Sequence, residues 1–250
     1  MIHMRSLENE AIANIHSVFT DAFSEYQVKI DMPIEKLTEM MITRSYSKRL
    51  SMGCYEEDKL VGFTLVGFRE TKNGKECYDI ATGIIKSHQN KGLGDKILKQ
   101  LLVELSSADI NCFSLEVLEN NTAAQRVYSN NGFKISRKLC CYEKKSIIGK
   151  INDTEVTKEE GLSSDDEGEY CSFAPSWQNS LTAYMNFKEK YHIEVMRDVK
   201  QTVRGYGIIH RETGSILQIG SKQCDEREKI VEEILEKMYT SVAKEKYTLS

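Results

Sequence analysis

Two short segments carry residue types whose spacing suits chemistry. The first is Ile84-Ile85-Lys86-Ser87-His88-Gln89-Asn90-Lys91-Gly92-Leu93-Gly94, where an apolar strand turns into a helix at two glycines. The first turn of a helix leaves backbone N–H groups unpaired and carries partial positive charge. Glycines at that point remove the side chains that would keep an anion away from those amides, so the segment is a candidate diphosphate cradle. An ATP-type loop requires Gly-Lys-Ser/Thr after its glycines, and here Asp95-Lys96 follows. The dinucleotide fingerprint GxGxxG is not met either. The second segment runs from Leu115 to Phe133 and contains Asn121, Ala124, Tyr128 and Gly132-Phe133.

The pattern Gln89-x-x-Gly92-x-Gly94 resembles the coenzyme A pyrophosphate loop of the GNAT acetyltransferases. The second segment resembles that family's other signature: a strand, an Asn, an Ala three residues on, a Tyr four further, then Gly-Phe entering the last strand. The two stand in the family's order with one helix between them, and the resemblance covers about residues 1–145. It implies an α/β (α+β) GNAT fold, a mixed and mostly antiparallel sheet with splayed central strands flanked by helices. The implied activity is acetyl transfer from acetyl-coenzyme A to a primary amine, on a small molecule or a peptide, by direct attack.

The resemblance also implies a set of site residues. Ile84, Ile85, Lys86, Gln89, Asn90, Lys91, Gly92, Leu93, Gly94, Asn121 and Ala124 fall on the cofactor-binding positions. Backbone N–H groups near Ile84 or Ile85 would polarise the thioester carbonyl. Pantetheine would pair with the exposed strand edge there as an added strand does. Tyr128 matches the usual donor of a proton to the departing thiolate. An attacking amine must be neutral, so a proton has to leave, and Asp79 or Glu116 is the expected base. Tyr78 and Thr82 are further substrate contacts on the same grounds, and His88 is an exposed turn histidine or a stack for the nucleotide. Gln89 departs from the arginine that often opens the loop, which leaves Lys91 or Lys86 to supply the charge. No metal is implied. Without a base, the same features would describe a non-catalytic acyl-coenzyme A-binding module.

The elements that must position these residues are legible from periodicity. A strand over 2–7 precedes a helix over 9–25, with Ile12, Ile15, Phe19 and Phe23 at spacings of three and four. A second helix follows Pro33, then a hairpin over 51–67, a turn at Asn73-Gly74 and a strand from Cys77 to Ile85. Ile97, Leu101 and Leu105, with Leu98 and Leu102 beside them, make the helix after Gly92 the clearest on the chain. A strand over 113–118, a helix over 122–130 and a closing strand from Phe133 to about Lys144 complete residues 1–147 as one domain.

Residues 148–169 are rich in Glu and Asp and bury little, so they read as an acidic linker. Residues 170–250 are a smaller α/β half: strand-like segments at 205–209 and 215–219, then a charged helix from about Asp225 to Lys246. Phe173-Ala-Pro-Ser-Trp-Gln-Asn-Ser180 resembles the start of a second GNAT-like half in two-domain members of the family. Setting Ile97-Leu98 on Ile230-Val231 puts Asp225 and Arg227 where Gly92 and Gly94 stand, so this half is expected to be a degenerate partial repeat without its own site. It would pack on the first domain, shape the acceptor groove or form a homodimer. Trp177 and Tyr206 are core or groove residues of this half, with the core the expectation.

A net charge of -4 over the 250 residues gives no support to nucleic-acid binding, which needs clustered Lys and Arg. No stretch approaches a membrane span, and Met1-Ile2-His3-Met4-Arg5 opens no signal-peptide core. The seven cysteines are an odd number without zinc-ligand spacing, which suits reduced thiols. A cytoplasmic location is the expectation.

Overall fold

A computed structural model describes residues 1–26, 30–142, 162 and 167–248, the last seven as helical backbone only. The chain divides into two compact units, Met1–Leu139 and Cys140–Ser250.

The first unit is a five-stranded sheet in the order β1-β2-β3-β4-β5. Its strands are β1 (Ile2–Ser6), β2 (Met52–Glu56), β3 (Lys59–Thr71), β4 (Gly74–Ile84) and β5 (Cys112–Leu115). All neighbours are antiparallel except β4 and β5, which run parallel. That switch follows from the helical crossover between them, since parallel neighbours cannot be joined by a hairpin. The helices are α1 (Ile12–Ala22), α2 (Ile34–Thr43), α3 (Leu93–Ser107) and α4 (Thr122–Asn130).

The crossover helix α3 buries Ile97, Leu98, Leu101 and Leu105 as the sequence predicts, and Leu93 besides, while Leu102 is only partly buried. These pack with Met52, Cys54, Val61, Val66 and Cys77 from the sheet. On the other face α1 approaches β4 closely: a Cβ built on Gly83 would stand 3.0 Å from Ala22 and 3.1 Å from Phe23. Glycine is what lets the end of that helix sit against the strand.

The expected closing strand is not formed. Residues 133–142 lie outside any strand, and Ile135, Leu139 and Tyr142 are exposed, so their apolar character finds no partner among the described residues. Residues 143–144 of that expectation fall outside the described part.

The second unit holds a three-stranded antiparallel sheet, β6 (Tyr191–Arg197), β7 (Val203–His210) and β8 (Ile216–Ser221). Short helices α5 (Glu167–Tyr170) and α6 (Leu181–Asn186) and the long α7 (Arg227–Thr248) accompany it. Most of the expected linker lies outside the described residues, but its last part forms α5, and Tyr170 is buried in this unit's core. Tyr206 is fully buried and Trp177 partly so. A Cβ on Gly207 would meet Met238 Sδ at 2.5 Å and Ile234 Cγ2 at 2.6 Å, so α7 rests directly on the β7 backbone.

All seven cysteines are free, with Cys54 and Cys77 buried. No helix among the described residues is long and apolar enough to cross a membrane.

Candidate active site

The site begins with an irregularity in β4. The β3–β4 register shifts between Leu65 and Val66: Leu65 pairs with Ala81 but Val66 with Asp79, so Ile80 is an extra residue. A bulge of this kind changes the phase of side-chain alternation. Asp79 and Thr82, three apart, therefore share the face on which α3 and α4 lie. Thr64 sits on the same face, opposite Thr82.

These residues form one hydrogen-bonded chain. Thr82 Oγ1 donates to Asp79 Oδ2 at 2.7 Å, and Tyr128 Oη, brought in from α4, donates to the same oxygen at 2.9 Å. Thr64 Oγ1 and Thr82 Oγ1 are 2.9 Å apart. A hydroxyl has one proton, and that of Thr82 is given to the carboxylate, so Thr64 is the donor in this pair. Asp79 is 5% exposed, and its other oxygen, Oδ1, has no hydrogen-bond partner among the described residues.

Burial pushes the Asp79 carboxyl up to about 6, although the bonds from Thr82 and Tyr128 favour its charged form. Burial and the adjacent Asp79 charge together drive the Tyr128 phenol far above its usual range. The Tyr128 ring is held edge-on to Phe133, with centroids 5.6 Å apart.

Next to this chain the sheet opens. Among the described residues β4 and β5 pair only from Glu76–Cys112 to Asp79–Leu115, so β4 beyond Asp79 has no strand beside it there. Ile85 N donates to Val61 O at 3.0 Å, so its amide is taken by β3. Antiparallel alternation then turns the Ile84 N–H and C=O away from β3, toward the open side. Gln89 Nε2 donates to Ile84 O at 2.9 Å, which closes the turn into α3.

Beyond that turn the two glycines open α3. Gly92 is the N-cap of α3 at φ 71° and brings no side chain to cap the first turn. A Cβ at Gly92 or Gly94 would meet nothing within 4 Å, so the ground over the free amides of Leu93, Gly94 and Asp95 is clear.

The remaining expected residues divide. Asn121 Oδ1 caps α4 by accepting from Ala124 N at 3.1 Å, which gives both a structural task. Lys86 faces α1 instead of the cradle: its N–H donates to Asp21 Oδ1 and its Nζ to Glu25 Oε1, both at 2.7 Å. Asn90 and Lys91 are exposed in the turn, and His88 Nε2 lies 3.3 Å from Glu56 Oε2. Of the two carboxylates expected as base, Asp79 bonds Tyr128, while Glu116 is exposed just beyond β5. Tyr78 is buried on the opposite face of β4. Thr64 was not anticipated. The signal available was a second hydroxyl inside a buried strand, where hydroxyls are bonded or costly.

A cavity of about 260 Å³ opens between α1 and residues 30–33, with His16, Phe19, Phe23, Asp31 and Met32 in its wall. His16 Nε2 donates to Met32 O at 2.8 Å and so ties that segment to the helix.

The parting of β4 from β5 and the glycine-cleared helix start both lie in the first unit, Met1–Leu139. Residues 12–133 match the Acetyltransferase (GNAT) family. Over 95 residues the chain is 37% identical to the probable spermine N(1)-acetyltransferase of Bacillus subtilis subsp. natto (strain BEST195). It is 36% identical to the spermine/spermidine N(1)-acetyltransferase of Bacillus subtilis (strain 168). Each match covers 35% of this chain, which spans 61% of the length of these curated relatives. Among solved structures, the ribosomal-protein-S18-alanine N-acetyltransferase from Escherichia coli aligns at 19% identity and a TM-score of 0.45, over 55% of this chain and 80% of that one. The family match falls within the first unit, Met1–Leu139.

Proposed function

We propose that the chain is an N-acetyltransferase that moves the acetyl group of acetyl-coenzyme A to a primary amine by direct attack. The observation that carries this is the meeting of Asp79 and the Tyr128 hydroxyl beside the open edge of β4, which leads into the Gly92–Gly94 cradle. The amides at the start of α3 would hold the diphosphate, with Lys91 as the nearby cation. The outward Ile84 N–H would polarise the thioester carbonyl. Asp79 serves as the base for the acceptor nitrogen and Tyr128 as the acid for the departing sulfur.

A polyamine is the acceptor class we favour. The two relatives named above are a spermine and a spermine/spermidine acetyltransferase, and Asp31 in the wall of the α1 cavity is a carboxylate suited to a cationic amine. The C-terminal unit is read as a partial repeat without a site. Its order β6-β7-β8-α7 parallels β2-β3-β4-α3, but Asp225 precedes α7 where the first unit has glycine.

The test is incubation of the purified chain with acetyl-coenzyme A and spermine or spermidine, following free thiol and the mass of the amine. Acetylated polyamine is expected. Tight binding of acetyl-coenzyme A with no acetylation of any amine would instead favour a non-catalytic acyl-coenzyme A-binding module.

A further inference from the structure

We propose that Asp79 and Tyr128 work as an interlock: the proton that Asp79 takes from the acceptor nitrogen is what frees Tyr128 to give its own to the leaving thiolate. Thr82 and Thr64 are positioning residues for the pair. The inference rests on the acetyltransferase reading above and concerns the order of proton movements within it.

The geometry divides the carboxylate between two tasks. Oδ2 receives both Tyr128 Oη and Thr82 Oγ1, while Oδ1 is bare and buried. A buried oxygen without a partner is costly unless something else bonds to it in the working complex. Oδ1 is therefore the place for the acceptor nitrogen, and Oδ2 is the link to the acid.

The electrostatics then set the sequence of events. While Asp79 is an anion, loss of the Tyr128 proton would place a phenolate beside a carboxylate in a site that water barely reaches. Tyr128 is a poor acid in that state. Once Asp79 is neutral the repulsion is gone, and the phenol can release its proton.

The proton balance closes. An acceptor that arrives as an ammonium first loses one proton to solvent. The neutral amine forms the N–C bond at the thioester carbonyl, and the cationic nitrogen of the adduct passes a proton to Asp79. As the C–S bond breaks with its electrons going to sulfur, Tyr128 protonates the thiolate. The Asp79 carboxyl then returns its proton to the phenolate oxygen, so both side chains finish as they began.

Other groups face this pair. Tyr26, four residues past the end of α1, acts on Tyr128 electrostatically. On the opposite face of β4, Tyr78 lies in the field of Glu116, Arg44, Asp79 and Arg69. Arg44 Nη1 donates to the carbonyl of the bulge residue Ile80 at 3.2 Å. Burial, more than any of these charges, sets the value near 6 for Asp79.

The test combines a titration with a mutant cycle. Carbon NMR of the Asp79 carboxyl is followed with pH in wild type, Tyr128→Phe, Thr82→Val and Thr82→Ser, and kcat/KM for spermine is measured over the same range. Tyr128→Phe and Thr82→Val remove bonds that favour the carboxylate, so the Asp79 midpoint should move up, and Thr82→Ser should bring it back. The acid limb of kcat/KM should move with it in Thr82→Val, which a residue that only fills space would not cause.

In the cycle, Asp79→Asn and Tyr128→Phe should each slow turnover roughly 100-fold, and the double variant should be no slower than the worse single. Independent acid and base would multiply to roughly 10⁴-fold. Multiplied losses, or an Asp79 midpoint indifferent to Tyr128→Phe, overturn the interlock while leaving the acetyltransferase standing. The expected NMR shifts in a wild-type protein that acetylates no amine would sink the activity, and the interlock with it.

Discussion

The proposed cofactor site is open to a perturbation whose effects on binding and on folding have opposite signs. Gly94 lies in the first turn of α3, and a Cβ there meets no atom within 4 Å. Gly94→Glu therefore fits the unliganded fold. It should stabilise it slightly, by up to about 1 kcal/mol, because Glu outranks Gly in helices and a negative charge suits a helix start. A bound diphosphate would meet that carboxylate at roughly 5 Å. One unit charge against another at that distance costs about 0.8 kcal/mol in water and about 3 kcal/mol at an effective dielectric of 20. Affinity should fall between about fourfold and a few hundred-fold, nearer the upper end since a diphosphate carries more than one charge. Calorimetric titration with acetyl-coenzyme A, beside a thermal melt without ligand, reads both effects. Wild type should bind one equivalent, and the variant should bind weakly with an equal or higher Tm. Equal affinity in the two proteins would refute the placement of the diphosphate at α3. Two equivalents per chain would refute the reading of the second unit as siteless.

Tyr128→Phe should reduce turnover roughly 100-fold, as loss of a general acid does, while the calorimetric affinity for acetyl-coenzyme A stays put. Asp79 also makes stability depend on pH. Its carboxyl sits at about 6 in the fold against an ordinary 3.8, so between those values the native state holds a proton that the unfolded chain has lost. Stability should thus fall as pH rises from about 4 to 6, by about 3 kcal/mol at most, and Asp79→Asn should abolish most of that slope in denaturant titrations at pH 4 and pH 7. Ile97→Ala empties a fully buried position in the α3 row and should cost about 2–5 kcal/mol by urea unfolding.

Much of this architecture is legible in the sequence because periodicity and backbone chemistry speak locally. The α3 row follows from spacings of three and four, and the start of α3 from glycines at a strand-to-helix turn. The Ile80 bulge is not legible. Tyr78, Asp79 and Ile80 are all buried, so β4 offers no clean alternation from which a phase change could be read. Without the bulge, simple alternation would put Asp79 and Thr82 on opposite faces, and the chain from Thr64 to Tyr128 would have no geometric basis. The segment after Phe133 misleads in the other direction. Its alternating apolar residues suggest a strand, but a strand needs a partner for its backbone groups, and none pairs with residues 133–142 among the described residues.

The bulge also explains why a costly residue sits where it does. A carboxylate buried on a sheet face opposes folding at neutral pH, and a bare Oδ1 adds to that cost. Two hydroxyls, from β4 and α4, bond one oxygen of Asp79, the first of them backed by Thr64 on β3, and they offset part of that cost, yet neither reaches the other oxygen. A purely structural carboxylate would be bonded on both sides or replaced by an amide. An unfinished shell instead holds the group near a neutral titration point with one oxygen ready for a new partner, which is what proton transfer from an amine requires. If that is the reason for the arrangement, Asp79→Asn will make the protein more stable at neutral pH and less able to acetylate. The two changes should appear together in the same variant. A variant that loses stability as well as activity would mark Asp79 as part of the scaffold.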